Sequence, residues 1–185
     1  CDEIKVNPRD KASLQSGARL YINYCLGCHS MKYARYNRVA SDLGIPEDLF
    51  MDNLVFNPTT KFADLIDKSM DDRNAKAWFG AAPPDLTLVS RARQPEWLYT
   101  YLRTFYKDPT RPYGVNNRVF KDVGMPHVLL ELQGMQECAM GPVTAANGGV
   151  KRDPLTGEDV LEDPCGRFKI TDAGAMTPEE FDGAI

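Results

Sequence analysis

The 185-residue sequence lacks the features of several protein classes. No apolar run approaches the roughly 18 residues that a membrane-spanning helix needs, and runs such as Val128-Leu129-Leu130 fall far short of it. No stretch interleaves basic and aromatic residues in the manner of a nucleic-acid surface, and the net charge is -4. There is no internal repeat and no basic, apolar leader at the N-terminus. We therefore expect no bilayer span in this stretch and no nucleic-acid partner, and a leader, if there was one, has been removed.

The composition that is present indicates one folded globular domain over residues 1–185. Hydrophobic residues make up 43% of the chain, charged residues 26%, and the mean hydropathy is -0.41. The 14 glycines and 13 prolines cluster after the midpoint. The second half is therefore expected to be rich in loops.

Apolar residues at helical spacing predict several helices in the first half. One begins near Leu14 and runs into Cys25. A second follows Pro46, which is typical of a first helical turn. A third is predicted from Phe62 to Met70, and a fourth is capped by Asp72 and ends at Gly80.

In the second half, Pro95 begins a helix whose apolar stripe reaches Phe105. Residues 108–126 carry three prolines and two glycines without periodicity, which predicts a long functional loop. Turn signals within residues 135–170 predict a small hairpin-like excursion. Residues 177–180 (TPEE) match the N-cap, first-turn proline and capping-box glutamate of a last helix.

The segment Cys25-Leu26-Gly27-Cys28-His29 is the C-x-x-C-H signature of covalent c-type haem attachment. Two thiols three positions apart at a helix end can reach the two vinyl groups of one porphyrin, and the adjacent imidazole then points at the iron. The motif therefore predicts one covalent haem c, attached through Cys25 and Cys28 and ligated by His29.

Two other chemistries of a C-x-x-C pair fit the sequence less well. A redox pair of the thioredoxin type belongs at a strand-to-helix turn of a βαβ unit, whereas this motif follows a predicted helix. A zinc site needs a second Cys or His pair at ligand spacing, which the sequence lacks.

The ligand on the other face of the iron decides the functional class, because methionine raises the reduction potential whereas an open position permits ligand chemistry. Met31 is too near His29 in sequence to reach that face. Met125 is favoured, because Gly124 permits close backbone approach and Pro126 fixes the loop. The remaining candidates are Met51, Met70, Met135, Met140, Met176 and His127. Core packing is the simpler interpretation of these methionines, and His127 is expected to face solvent or to support the site.

Three separated segments carry a resemblance to a known family. CLGCHSMKY at residues 25–33 is followed by APPDL at 82–86 with RAR at 91–93, and then by VGMP at 123–126. In this order they closely resemble cytochrome c1, the haem subunit of the cytochrome bc1 complex, in its bacterial form. The resemblance covers nearly the whole chain. It implies a mainly α fold, a cytochrome c-type haem domain with long loops and a small β-hairpin excursion.

The resemblance also implies roles for single residues. It matches Cys25, Cys28 and His29 to the family's haem-binding positions and Met125 to its sixth iron ligand. Pro84 would then lie against the haem. The implied haem contacts also include Arg93, Trp97 and Tyr101.

Arg93 is expected beside a haem propionate, where a guanidinium can pair with a carboxylate, and the alternative is an ordinary surface arginine. Trp97 and Tyr101 are candidates for the wall of the haem crevice, although aromatic residues at helical spacing are more often plain core. Because some bacterial relatives carry a disulfide in this segment, the resemblance implies that Cys138 pairs with Cys165. Cys1 is then odd: it is lipid-modified, paired externally or simply the first residue of a fragment, and we favour the last.

The function implied by the resemblance is electron transfer through one haem c. The donor would be the Rieske iron-sulfur protein and the acceptor a soluble c-type cytochrome, while ubiquinol chemistry would occur in the cytochrome b subunit of the same dimeric complex. The chain would be a non-catalytic redox subunit of that enzyme complex. A membrane-anchoring helix is implied some tens of residues beyond Ile185. The chain itself would lie at the periplasmic side of the bacterial inner membrane.

Two other functions remain open at this point. A free-standing periplasmic mono-haem cytochrome c would carry the same motif, and co-purification with cytochrome b and Rieske subunits would separate it from the first interpretation. A haem gas sensor or peroxidase needs an open or displaceable distal position, and a methionine-ligated iron argues against it.

Overall fold

The structure is a computed structural model that describes residues 1–139, 141–143, 145, 147–160, 165 and 167–185. The chain divides into two compact units, the first comprising Cys1–Thr100 with Gly183–Ile185 and the second Tyr101–Asp182. The expectation of a single domain over residues 1–185 stays a prediction, because this division does not test whether either unit folds alone.

Short helices dominate the first unit. They are α1 (Lys11–Leu20), α2 (Tyr36–Leu43), α3 (Glu47–Leu54), α4 (Asp72–Phe79) and α5 (Val89–Arg93). Helix α6 (Pro95–Arg103) begins in this unit, and strands β1 (Met31–Arg35) and β2 (Leu65–Ile66) pair antiparallel. The core that these elements share consists of Ile22, Tyr36, Ala40, Phe50, Leu54 and Ile66.

The helix predicted to run into Cys25 is confirmed, since α1 continues directly as the π-helical turn Tyr21–Cys25. The helix predicted after Pro46 is also confirmed as α3, with acidic residues in its first turn where they favour the helix dipole. The helix predicted from Phe62 to Met70 is wrong. Leu65 is exposed and Ile66 is buried, the alternation of a strand, and the two residues form β2 against β1.

Helix α4 ends before Gly80 as predicted, with that glycine in the left-handed conformation. Its cap is one residue earlier than expected. The Asp71 carboxylate, and not that of Asp72, accepts hydrogen bonds from the amides of Arg73 and Asn74. The cap satisfies backbone donors that the first helical turn leaves unpaired.

The second unit holds most of the strand structure. Strands β3 (Phe105–Lys107) and β4 (Val115–Asn117) form one antiparallel pair, and β5 (Gly134–Ala139) and β6 (Arg167–Ala173) form another. The helices are α7 (Leu130–Gln133) and α8 (Pro178–Ala184). The last two residues of α8 are assigned to the first unit. The core consists of Phe105, Val115 and Val123, with Tyr101, Met125 and Met135 packed against it.

Three predictions for this half can be compared with the structure. Helix α6 begins at Pro95 as predicted but ends at Arg103, so Phe105 lies in β3. The long loop contains the short strand β4. The capping box is confirmed, because the Thr177 hydroxyl accepts from the Glu180 amide at 3.2 Å and the Glu180 carboxylate accepts from the Thr177 amide at 2.8 Å.

The fold class agrees loosely with the expectation of a mainly α protein. About 37% of the residues are helical and 17% are in strands, and the strands form small antiparallel hairpins such as β5–β6. Among the residues that the structure describes, no helix has the length and apolar character needed to cross a membrane.

Candidate functional site

The C-x-x-C-H segment sits at the end of a helix that widens as it finishes. In the π-helical turn the Leu26 amide donates to the Tyr21 carbonyl, five residues back, at 2.9 Å. The amides of Cys28 and His29 then both donate to the Cys25 carbonyl, at 3.0 and 2.8 Å. The motif residues are therefore held in a single tight turn by their own backbone.

Both cysteines of the motif are free thiols and are half-buried. Burial raises the pKa of the Cys25 thiol to about 11, and the neighbouring Cys28 adds to the rise. A redox-active or zinc-binding cysteine is instead stabilised as the thiolate. Partly accessible free thiols at this spacing, with a raised pKa at Cys25, suit covalent attachment to a porphyrin better than either alternative.

The imidazole of His29 is oriented by a residue far along the chain. Its Nδ1 lies 2.7 Å from the carbonyl oxygen of Pro84. Because a carbonyl only accepts, Nδ1 carries the proton and Nε2 keeps the lone pair that a metal needs. Burial lowers the pKa of His29; the bond to Pro84 opposes this shift, and the charge of Lys68 reinforces it. The ring is thus held as a neutral imidazole with a fixed tautomer, which is what an iron-ligating histidine requires.

Two other segments hold the motif from outside. On one side the Leu86 amide donates to the Ser30 carbonyl at 2.8 Å. On the other side the Met70 amide donates to the Gly27 carbonyl at 3.1 Å. In addition, the Tyr21 hydroxyl donates to the carbonyl of His29 itself at 2.7 Å. The segment that would carry the haem is therefore held in place by hydrogen bonds from Leu86, Met70 and Tyr21.

Two polar side chains complete this support, and sequence reasoning missed both. Ser30 is 2% exposed, and its hydroxyl donates to Asp67 Oδ1 at 2.6 Å and accepts from the Lys68 amide at 3.1 Å. Asp85 accepts from the amides of Lys32 and Thr87, at 2.7 and 2.9 Å. Burial would raise the pKa of Asp85, but these bonds outweigh it and the pKa is lowered. Only the polar Asp85 within the APPDL segment gave a sequence signal.

Pro84, predicted to lie against the haem, contacts His29 through its backbone. Arg93 and Trp97 lie together, with the guanidinium carbon 5.1 Å from the centre of the indole ring, a cation–π geometry. Arg93 is exposed and Trp97 is half-buried. The haem-facing roles of these residues stay predictions.

Met125, the favoured distal ligand, is half-buried in the second unit and packs against Phe105, Val115 and Val123. The Tyr101 hydroxyl donates a hydrogen bond to its Sδ atom at 3.4 Å. The two residues, predicted separately, are thus in direct contact. The thioether is neither lost in the core nor freely mobile, which fits a ligand that must keep one lone pair available.

His127 occupies a different environment from Met125, two residues away. It is 8% exposed, and its ring stacks on that of Phe105 with centroids 5.0 Å apart and an interplanar angle of 2°. Neither ring nitrogen has a hydrogen-bond partner of good geometry among the described residues. Burial lowers its pKa to about 4, although contacts with Gly134 and Gln133 partly oppose the shift. Of the two expectations for His127, the solvent-facing one is wrong, because the side chain is buried against Phe105. The other, that it supports the site, stays a prediction.

The other methionine candidates mostly show the packing expected of them. Met31 packs against the core of the first unit and Met135 against that of the second. Met51, Met70 and Met176 are half-buried. Met140 lies outside the described residues.

The structure joins Cys138, in β5, to Cys165 by a disulfide with a sequence separation of 27. Cys1 is an exposed free thiol. The described residues contain no cluster of three or more His, Cys, Asp or Glu side chains suited to a metal ion.

In comparisons with known proteins, the chain matches one family model and relatives of two kinds. The sequence model of the Cytochrome C1 family matches residues 4–136. The chain is 49% identical over 184 residues to cytochrome c1 of Allochromatium vinosum, covering 100% of this chain and 70% of that protein. It is 40% identical over 181 residues to the ammonia monooxygenase gamma subunit of Nitrosomonas europaea, covering 98% and 67%. It is 28% identical over 125 residues to a mitochondrial cytochrome c1 heme protein of Arabidopsis thaliana, covering 59% and 40%.

Proposed function

Since the chain belongs to the Cytochrome C1 family, we propose that it is the haem-bearing electron-transfer subunit of a cytochrome bc1 complex. The observation that carries the proposal is the His29 geometry, in which a half-buried neutral imidazole donates from Nδ1 to the Pro84 carbonyl and keeps Nε2 for a metal. This ring directly follows two free thiols at haem-attachment spacing.

The proposed roles of the residues follow from their chemistry. Cys25 and Cys28 would form the thioether bonds, and His29 Nε2 and Met125 Sδ would hold the iron. When bound, the haem would supply one-electron chemistry. The chain's own contribution would be to keep these two side chains in place and, by occupying the iron, to exclude exogenous ligands.

We further propose that Arg93 pairs with a haem propionate and that Pro84, Trp97 and Tyr101 line the haem. The stacking on Trp97 supports the role of Arg93, because a guanidinium can keep its face on an aromatic ring while its edge donates to a carboxylate. Tyr101 contacts the proposed distal ligand directly, which supports a place at the haem.

The proposed partners are those of the bc1 complex. Electrons would arrive from the Rieske iron-sulfur protein and leave to a soluble c-type cytochrome, with cytochrome b carrying the ubiquinol chemistry. The complex would be dimeric and would lie at the periplasmic side of the bacterial inner membrane, held there by an anchoring helix of the longer protein.

One observation favours a second candidate. The chain is 40% identical to a protein named as an ammonia monooxygenase subunit, so a haem subunit that serves a monooxygenase complex is the alternative. The matches to the cytochrome C1 family model and to a cytochrome c1 at 49% identity favour the bc1 complex. Affinity purification of the native full-length protein from membranes separates the two: cytochrome b and Rieske subunits should accompany it, whereas monooxygenase subunits in their place would contradict the proposal.

The site itself is tested by optical spectra of the oxidised and reduced holoprotein and of Met125→Ala. The parent protein should show the weak sulfur-to-iron band and no carbon monoxide binding, and the variant should lose the band and bind carbon monoxide. Met135→Ala is the matched control, since Met135 packs against the same core, and it should keep the band. Carbon monoxide binding by the parent protein would mean an open iron and a gas sensor or enzyme.

A further inference from the structure

The hydrogen bond between Tyr101 and Met125 is unusual because its acceptor is a thioether sulfur, which is a weak acceptor for a phenol hydroxyl. Here the phenol oxygen of Tyr101 lies 3.4 Å from Sδ of Met125. The sulfur has no proton to give, so the hydroxyl is the donor. One lone pair of the sulfur is therefore engaged by Tyr101, and the other remains available.

We propose that Tyr101 is a positioning residue for Met125, whose hydroxyl fixes the thioether and draws electron density from its sulfur, so that the reduction potential of the bound haem is raised. The inference rests on the proposed ligation by Met125. When the sulfur donates less electron density, Fe(III) loses more stabilisation than Fe(II), because the ferric ion has the greater need of electron donation. The reduction potential therefore rises.

The ring of Tyr101 is held so that its hydroxyl can act in this way. It meets Phe105 edge to face with centroids 5.2 Å apart at 71°, and Phe120 with centroids 6.3 Å apart at 81°. The backbone is fixed as well, because the Asn117 side-chain amide donates to the Tyr101 carbonyl at 2.7 Å. Removing the hydroxyl alone therefore leaves the ring in place.

The test is an equilibrium redox titration of holoprotein carrying Tyr101→Phe. At a fixed ambient potential near the midpoint, the ratio of reduced to oxidised haem should fall about threefold, a factor suited to the modest net worth of one neutral hydrogen bond. For a one-electron couple at about 59 mV per tenfold change, this is a lowering of about 28 mV. The sulfur-to-iron band should persist, shifted from that of the parent.

Tyr106→Phe is the matched control. Tyr106 lies on β3, and its ring stacks on that of Phe168, so the same chemical change there should leave the potential and the band unaltered. Three outcomes overturn the inference. A potential unchanged in Tyr101→Phe, with the band present in both proteins, refutes the role of Tyr101 and leaves the proposed ligation intact. An equal shift in Tyr106→Phe assigns the effect to loss of any tyrosine, and absence of the band from the parent refutes the ligation by Met125 together with the inference.

Discussion

The surroundings of His29 and of Met125 differ in what holds them. His29 lies in a turn whose backbone bonds to two other segments, through Gly27 to Met70 and through Ser30 to Leu86. Met125 lies in an irregular segment and is held by apolar packing and by one side-chain hydrogen bond, from Tyr101.

The difference separates two ways of fixing a ligand. A ligand held largely through backbone bonds tolerates side-chain changes around it better, because those bonds do not depend on neighbouring side chains. A ligand held through side chains depends on each of them and on the core beneath. We therefore expect substitutions of neighbouring side chains to disturb the His29 segment little and the Met125 segment more.

The largest expected effect is on the motif itself. The double variant Cys25→Ser/Cys28→Ser should lose all covalently attached haem, since a hydroxyl forms no thioether with a vinyl group. Mass spectrometry of the denatured protein measures this directly, as loss of the mass of one haem.

Cys1→Ser controls for the loss of a thiol as such, because Cys1 is exposed and free, and it should keep the attached haem. A double variant that still carries haem after denaturation would contradict attachment through Cys25 and Cys28, and with it the comparison of the two regions.

The next effect should fall on the second unit. Replacing both Cys138 and Cys165 by serine opens a loop with a sequence separation of 27, which costs about 3.5 kcal/mol of unfolding free energy in the chain-entropy model. Denaturant titration measures the total. Hydrogen exchange then locates it: amides of β5 and β6 should lose more protection than the Leu86 amide at the His29 segment, and equal losses would mean that the two regions are not held separately.

The sequence predicted the His29 side well up to the end of the motif. The thiols, the histidine and the helix leading into them are neighbours in sequence, so spacing alone identifies them. The partner of His29 is 55 residues away at Pro84, and local periodicity carries no information about such a contact. The wrong helix prediction at Leu65 and Ile66 has the same cause, because these residues form a strand by pairing with the distant β1.

On the Met125 side the sequence predicted the residue but not its environment. Glycine and proline beside Met125 suggested a loop fixed for ligation, and the aromatic spacing of α6 suggested Tyr101 only as a wall residue. Their hydrogen bond depends on how a helix end meets a loop 24 residues later. His127 was expected to face solvent or to support the site, and the structure excludes the first alternative because the ring is buried against Phe105.

A matched pair of buried polar side chains sharpens the comparison. Gln136 is 6% exposed, and its amide donates to the carbonyls of Arg103 and Phe105, at 2.8 and 2.7 Å. Gln136→Ala should lower the unfolding free energy by about 2 kcal/mol, since the Phe105 carbonyl loses this donor and the Arg103 carbonyl is left with the one from Gln133. Ser30→Ala should lower it by about 1 kcal/mol. Both are measured by denaturant titration, with exposed Ser41→Ala as a control expected to change stability by less than about 0.5 kcal/mol.

The regional readout of this pair is the sulfur-to-iron band. Gln136→Ala should perturb it, because Phe105 packs under Met125, whereas Ser30→Ala should leave it unchanged. A band altered only by Ser30→Ala would reverse the assignment of the two regions.

The smallest effect is expected at His127, although it is the titratable side chain nearest in sequence to Met125. His127→Leu removes two buried nitrogens that lack well-formed hydrogen bonds, which favours the variant, and also removes the stacking on Phe105, which opposes it. The unfolding free energy should therefore change by less than about 1 kcal/mol, and the sulfur-to-iron band should remain. Loss of the band with carbon monoxide binding would instead mean that iron ligation by Met125 depends on His127. Since a side chain 8% exposed has little surface to offer a ligand, we expect the apolar core to tolerate this change better than any at Met125.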